Sequence, residues 1–178
     1  LAKALERADG PYRGVTWTKD DLRELEYASL LHDFGKIGVR EEVLVKAKKL
    51  FPHELELIRH RIEIALRSYE IEILERKLRL MQRGARAEEM SRLDDELSVR
   101  RKDLDAAYHA ICSANEPTVL SGGDFARIEA IARETFTDSE ARVAPLLRPE
   151  EVACLSVTRG SLTSSEIDEI RGHVTHTF

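Results

Sequence analysis

Glu70-Ile71-Glu72-Ile73-Leu74-Glu75-Arg76-Lys77-Leu78-Arg79-Leu80-Met81-Gln82-Arg83-Gly84-Ala85-Arg86 holds the end of one apolar stripe and the break that follows it. Its reading decides the fold class. Working back from it, Leu57, Ile64, Ile71 and Leu78 fall seven apart, flanked by Ile62, Leu66, Ile73, Leu74 and Met81. The spacing predicts one long helix from Pro52, whose missing N–H costs little at a helix start, to about Arg83. Gly84 breaks it. Beyond the break Met90, Leu97, Leu104 and Ile111 again fall seven apart, with Leu93 and Ala107 between them, and Glu116-Pro117 closes a second helix of about 87–115. Two heptad-like stripes joined by a few residues predict an antiparallel helical hairpin over 52–115. Pairing of the stripes within one chain is the expectation; pairing between two chains, giving a homodimer, is the alternative.

Outside the hairpin, Asp9-Gly10-Pro11 stops a first helical pattern, and Thr18 followed by Asp20 and Asp21 reads as an N-cap with acidic residues in the first turn. Leu22, Leu25, Ala28, Ser29 and Leu31 then recur at helical spacing. Residues 37–46 suit an extended connection with a short helical turn near 40–44. Further on, 125–136 reads as a shorter helix, 137–157 as a mixed segment with a helix start at Pro149, and Thr163 or Ser164 as the cap of a last helix. The expected class is therefore all-α.

The 178 residues fit one or two domains. Charged residues make up 34% and aromatic residues 6%, which favours helices with solvated faces over a β-sandwich. A net charge of -5 gives no footprint for DNA or RNA, so no polymeric nucleic acid is expected as partner. Cys112 and Cys154 form no CxxC and read as two reduced thiols. With no apolar run of membrane length and no signal peptide, the segment reads as cytoplasmic and without membrane contact. The start at Leu1 and the end at Phe178, each within a helical pattern, read as the limits of a piece of a longer protein.

The chemistry-bearing stretch is Leu30-Leu31-His32-Asp33-Phe34-Gly35-Lys36-Ile37-Gly38-Val39. Adjacent His32 and Asp33 bring an imidazole nitrogen and a carboxylate oxygen within reach of one metal ion. Gly35 permits a tight turn, and Lys36 adds a positive charge for a phosphate or a salt bridge. A bare His-Asp dipeptide equally marks a cap or a surface pair; the apolar run before it makes the stretch more specific.

This run, followed by Val43-Leu44-Val45-Lys46-Ala47-Lys48-Lys49-Leu50, resembles the HD-GYP subgroup of HD-domain phosphohydrolases. A second match, Gly160-Ser161-Leu162-Thr163-Ser164-Ser165-Glu166-Ile167-Asp168-Glu169-Ile170-Arg171-Gly172-His173, resembles that family's next helix. The matches cover about a third of the chain. The resemblance implies an HD-domain-like helical fragment with the helical hairpin inserted: 1–50 carries the HD motif, 51–159 is the insertion, and 160–178 begins the ligand helix. It implies a metal-dependent phosphodiesterase acting on a cyclic dinucleotide, cyclic diguanylate. It also implies His32, Asp33 and His173 as ligands of two or more divalent ions, Asp33 as the bridging catalytic carboxylate, and Lys36 on the substrate phosphate. Histidine and oxygen donors suit iron, manganese or zinc rather than calcium.

The long insertion departs from the family pattern, and the Gly-Tyr-Pro signature is absent. Because three ligands do not close a two-metal site, the 178-residue chain alone is expected to bind metal weakly and to lack useful turnover. The competing readings are a sensory or dimerisation element, a degenerate nucleotide-binding HD domain, and a generic HD-domain nucleotide phosphohydrolase.

Segments 50–61 and 162–173 align without a gap, matching Glu54 with Glu166, Ile58 with Ile170 and Arg59 with Arg171. His60 stands one residue, a rotation of about 100°, away from the counterpart of His173, so His173 is the candidate ligand and His60 belongs to the solvated or hairpin-facing surface of the long helix. His176, one turn past His173, reads as structural, and His53 and His109 as surface residues. Lys46, Lys48 and Lys49 read either as steering an anionic substrate or as a solvated loop.

Overall fold

The computed structural model describes residues 16–31, 34–119, 121–138 and 140–177, with side chains at all of these except 35, 37 and 173–177. It is mostly helical. In chain order the elements are α1 (Lys19–Leu31), a 3-10 helix (Phe34–Gly38), α2 (Glu41–Leu44), α3 (Pro52–Gln82), α4 (Ala87–Ala114), α5 (Gly122–Ala132), β1 (Thr135–Thr137), β2 (Val143–Pro145), α6 (Pro149–Leu155) and α7 (Ser164–Thr177). They belong to two compact units. One comprises Leu1–Val45 with Ser164–Phe178, the other Lys46–Thr163.

The second unit is built on the predicted hairpin. α3 starts at Pro52, and the Glu54 carboxylate accepts the Phe51 N–H at 2.8 Å, satisfying one donor that the first turn leaves over. It ends in a Schellman turn: Gly84, at φ +73°, donates to Met81 and Ala85 donates to Leu80. Antiparallel pairing shows in the ion pairs Arg76–Glu96, Lys77–Asp94 and Arg101–Glu70 across the two helices. The register that these pairs set puts Ala65 level with Ala107 and Ile58 level with Ala114. At the height of Ala65 and Ala107 two small side chains leave room for the backbones to approach.

The residues buried in this seam are Ile58, Ile62, Ala65 and Ile73 on α3, and Leu93, Leu104, Ala107, Ile111 and Ala114 on α4. This corrects the reading of α3. The heptad series Leu57, Ile64, Ile71 and Leu78 is exposed, on the side of the helix opposite the seam. α3 carries two apolar stripes, and a seven-residue period does not tell which one meets the partner. The match of Ala65 to Ala107, and of Tyr69 and Arg76 to Glu96, selects the other stripe.

Ile128 and Ile131 of α5, Leu146, Leu147, Leu155 and Leu50 extend the seam into one core. α5 is capped by Ser121, whose Oγ accepts the Asp124 N–H, while Asp124 accepts the Ser121 N–H. The all-α expectation also needs correction, because β1 and β2 form an antiparallel hairpin with Phe136 opposite Ala144. The helix expected to reach Phe136 stops at Ala132. β-branched Thr135 and Thr137 favour extended backbone, and the Asp138 carboxylate closes the turn by accepting the Glu140 and Arg142 N–H groups. Pro149 opens α6 as its position predicts.

In the first unit, Thr18 Oγ1 accepts the Asp21 N–H at 3.1 Å and Asp21 accepts the Thr18 N–H at 2.8 Å, the expected cap of α1. No residue of α1 is buried, although its apolar positions share a face. The stretch expected to be extended from residue 37 instead begins inside the 3-10 helix, and the short turn near 40–44 is α2. No helix among the described residues is long and apolar enough to cross a membrane. Both cysteines are unbridged and half-buried.

Candidate metal centre

α1 runs up to Leu31, and the chain then passes through His32 and Asp33, which lie outside the described residues. The 3-10 helix that follows packs against α7, the helix that carries position 173. α2 also touches α7. Two features hold this arrangement. Val39 and Val43 are buried as apolar anchors beside the short helices, with the Val39 N–H donating to the Lys36 carbonyl at 3.0 Å.

The second feature is a clamp. The Arg40 guanidinium donates to both carboxylate oxygens of Glu169, Nη2 to Oε2 at 2.9 Å and Nε to Oε1 at 3.1 Å, and the Arg40 backbone N–H also reaches Oε1 at 3.1 Å. A forked cation on a planar carboxylate fixes orientation as well as distance. The Arg40 side chain, and then its backbone N–H, hold the Glu169 carboxyl below the usual carboxylate range, and Glu169 pushes Arg40 further up. Position 173 lies one helical turn beyond Glu169. Neither Arg40 nor Glu169 is singled out by the sequence. The signal available is the internal echo, in which Glu169 aligns with Leu57: a charge stands in α7 where α3 has an apolar residue.

Of the predicted site residues, Lys36 sits in the 3-10 helix, half-buried. His173 lies in α7 and His176 with it, but their side chains, like His32 and Asp33, lie outside what is described. Among the described residues no group of three or more His, Cys, Asp and Glu side chains is placed to hold a metal ion.

The remaining histidines belong to the second unit. His60 is exposed between Glu56 and Glu63 of its own helix, at 3.4 and 3.6 Å. His109 is exposed beside Asp105, and the ring of exposed His53 stacks on Phe51 at 5.8 Å.

The lysine-rich loop is not a uniform basic surface. Lys46 lies over the Phe51 ring at 4.6 Å, and Lys48 pairs with Glu116 at 2.6 Å. Lys49 is fully buried and its ammonium donates to the Leu155 carbonyl at 3.5 Å. Burial pushes its pKa down, partly offset by Asp124. Neither substrate steering nor a solvated loop describes Lys49, whose side chain is buried and ends at the last residue of α6.

No protein-family model matches the chain, and neither the curated proteins nor the solved structures include one similar to it.

Proposed function

We propose that this chain supplies part of the metal centre of a phosphodiesterase resembling those that hydrolyse cyclic diguanylate. The observation that supports the reading is the packing of the 3-10 helix, which directly follows His32-Asp33, against α7, which carries His173, under the Arg40–Glu169 clamp. Segments about 140 positions apart in sequence thus belong to one compact unit. A donor set of two imidazoles and one carboxylate fits iron, manganese or zinc. In this reading His32, Asp33 and His173 hold the ions, and Lys36 holds a substrate phosphate. Bound metal supplies an acidified water and neutralises charge at the phosphoryl oxygens.

Manganese titration of the 178-residue chain, followed by electron paramagnetic resonance, tests the assignment. Weak binding that is lost in both Asp33→Ala and His173→Ala is the expected result, with no cyclic-diguanylate hydrolysis by this chain alone. Binding that survives both substitutions together would remove the proposal.

A further inference from the structure

The exposed face of α3 is more apolar than a solvated helix needs. Leu57, Ile64, Ile71, Leu74, Leu78 and Met81 lie on one side of it, each between 43% and 66% exposed. They follow the a and d positions of a heptad: Leu57, Ile64, Ile71 and Leu78 at a, Leu74 and Met81 at d. Ile58, Ile62, Ala65 and Ile73, which form the seam with α4, point the opposite way. The hairpin therefore uses one face and leaves the second exposed, bordered near Ile64 and Ile71 by Asp138 and Arg142 of the β-turn.

We infer that this face pairs with the same face of a second copy of the chain, the two α3 helices running antiparallel about a centre between Glu72 and Ile73. Charge decides the direction. A parallel, in-register pair would stack Arg67 on Arg67 and His60 on His60 at the d layers. Two guanidinium groups would face each other at one layer and two polar imidazoles at another. The antiparallel pair removes all of these clashes. It sets Ile71 against Leu74, Ile64 against Met81 and Arg67 against Leu78, and leaves His60 outside the seam.

Area is adequate. Five side chains per copy (Ile64, Ile71, Leu74, Leu78 and Met81), each offering roughly 100 Å², give on the order of 1,000 Å² of apolar surface over the two copies, before the flanking stems are counted. That reaches the size of a specific interface. The inference is independent of the metal centre, which lies in the other unit.

Light scattering of the eluted 178-residue chain at about 50 μM, within the range of such interfaces, should show a dimer. Ile71→Glu with Leu74→Glu should give a monomer with an unchanged circular-dichroism spectrum and, since neither side chain is in the core, a cooperative urea transition whose midpoint no longer depends on protein concentration. Direction is read from a spin label at Leu57→Cys, in a Cys112→Ser, Cys154→Ser background. Antiparallel pairing puts the two labels about 45 Å apart, parallel pairing about 10 Å. A monomeric parent chain overturns the inference, as does a dimer that survives the double glutamate substitution. A short label distance overturns the antiparallel arrangement.

Discussion

Asn115 offers the sharpest test of how the hairpin is closed. It stands just past the end of α4 and is 2% exposed. Its Oδ1 accepts the N–H of Leu50 at 2.7 Å, and its backbone carbonyl accepts the N–H of Lys49 at 3.1 Å. One residue thus ties the entry of α3 to the exit of α4. Asn115→Leu keeps most of the volume but removes the side-chain acceptor. Leu50 is itself 2% exposed, so its N–H has no water to turn to.

Losing the bond and stranding a buried donor together cost about 2–3 kcal/mol. For a unit of this size that lowers the melting temperature by about 8–12 °C. Asn115→Asp separates shape from charge. It retains an acceptor but places a carboxylate where little water reaches, so its deficit shrinks on acidification while that of the leucine variant does not. Urea denaturation monitored by circular dichroism gives the midpoints, and amide exchange at Leu50 gives the local opening. A leucine variant within about 0.5 kcal/mol of the parent at unchanged slope would refute the assignment.

Lys49→Met should leave the second unit equally stable or stabilise it by about 1 kcal/mol, because it removes a buried ammonium held by a long hydrogen bond; a loss above about 2 kcal/mol in urea denaturation would contradict this. The parent's own contribution has a definite sign. The folded pKa of Lys49 lies below 10.5, so the unfolded chain holds the proton longer and stability rises with pH towards 10.5, a rise that Lys49→Met should abolish. For Glu169 the folded pKa lies below 4.5, so its contribution is complete above that value and fades as pH falls through the folded one. Glu169→Gln should flatten that acid limb, read by the fluorescence of Trp17. Residues 46–163 expressed alone should give a cooperative thermal transition, and a featureless melt would show that the unit depends on its flanks.

Much of this fold was legible because helix ends carry local chemistry. Pro52, Gly84, Pro149 and the Thr18–Asp21 pair each act within a few residues, and the elements begin or end where they stand. What was not legible depended on partners distant in sequence. Two apolar stripes on α3 are equally good helix faces, and only the register against α4 shows which one is buried. The β-hairpin was missed because three-residue strands leave no periodicity to count. Lys49 looks like its neighbours Lys46 and Lys48 until α6 closes over it. At the candidate centre the helix that ends just before His32 and the short turn near 40–44 were foreseeable, whereas Arg40 and Glu169, separated by 129 positions, meet only in three dimensions.

The hydroxyl of Ser161 donates to the carbonyl of Lys46 at 2.8 Å, so the second unit's polypeptide leaves almost where it enters. A module with such neighbouring ends behaves as a cassette: a host can carry it as it would a surface loop, and a short linker could replace it. Because the entropy of closing a loop grows only slowly with its length, an ordered unit whose ends already meet adds little strain to the host. Evolution, or a protein engineer, could exchange this one for another without redrawing the surrounding helices.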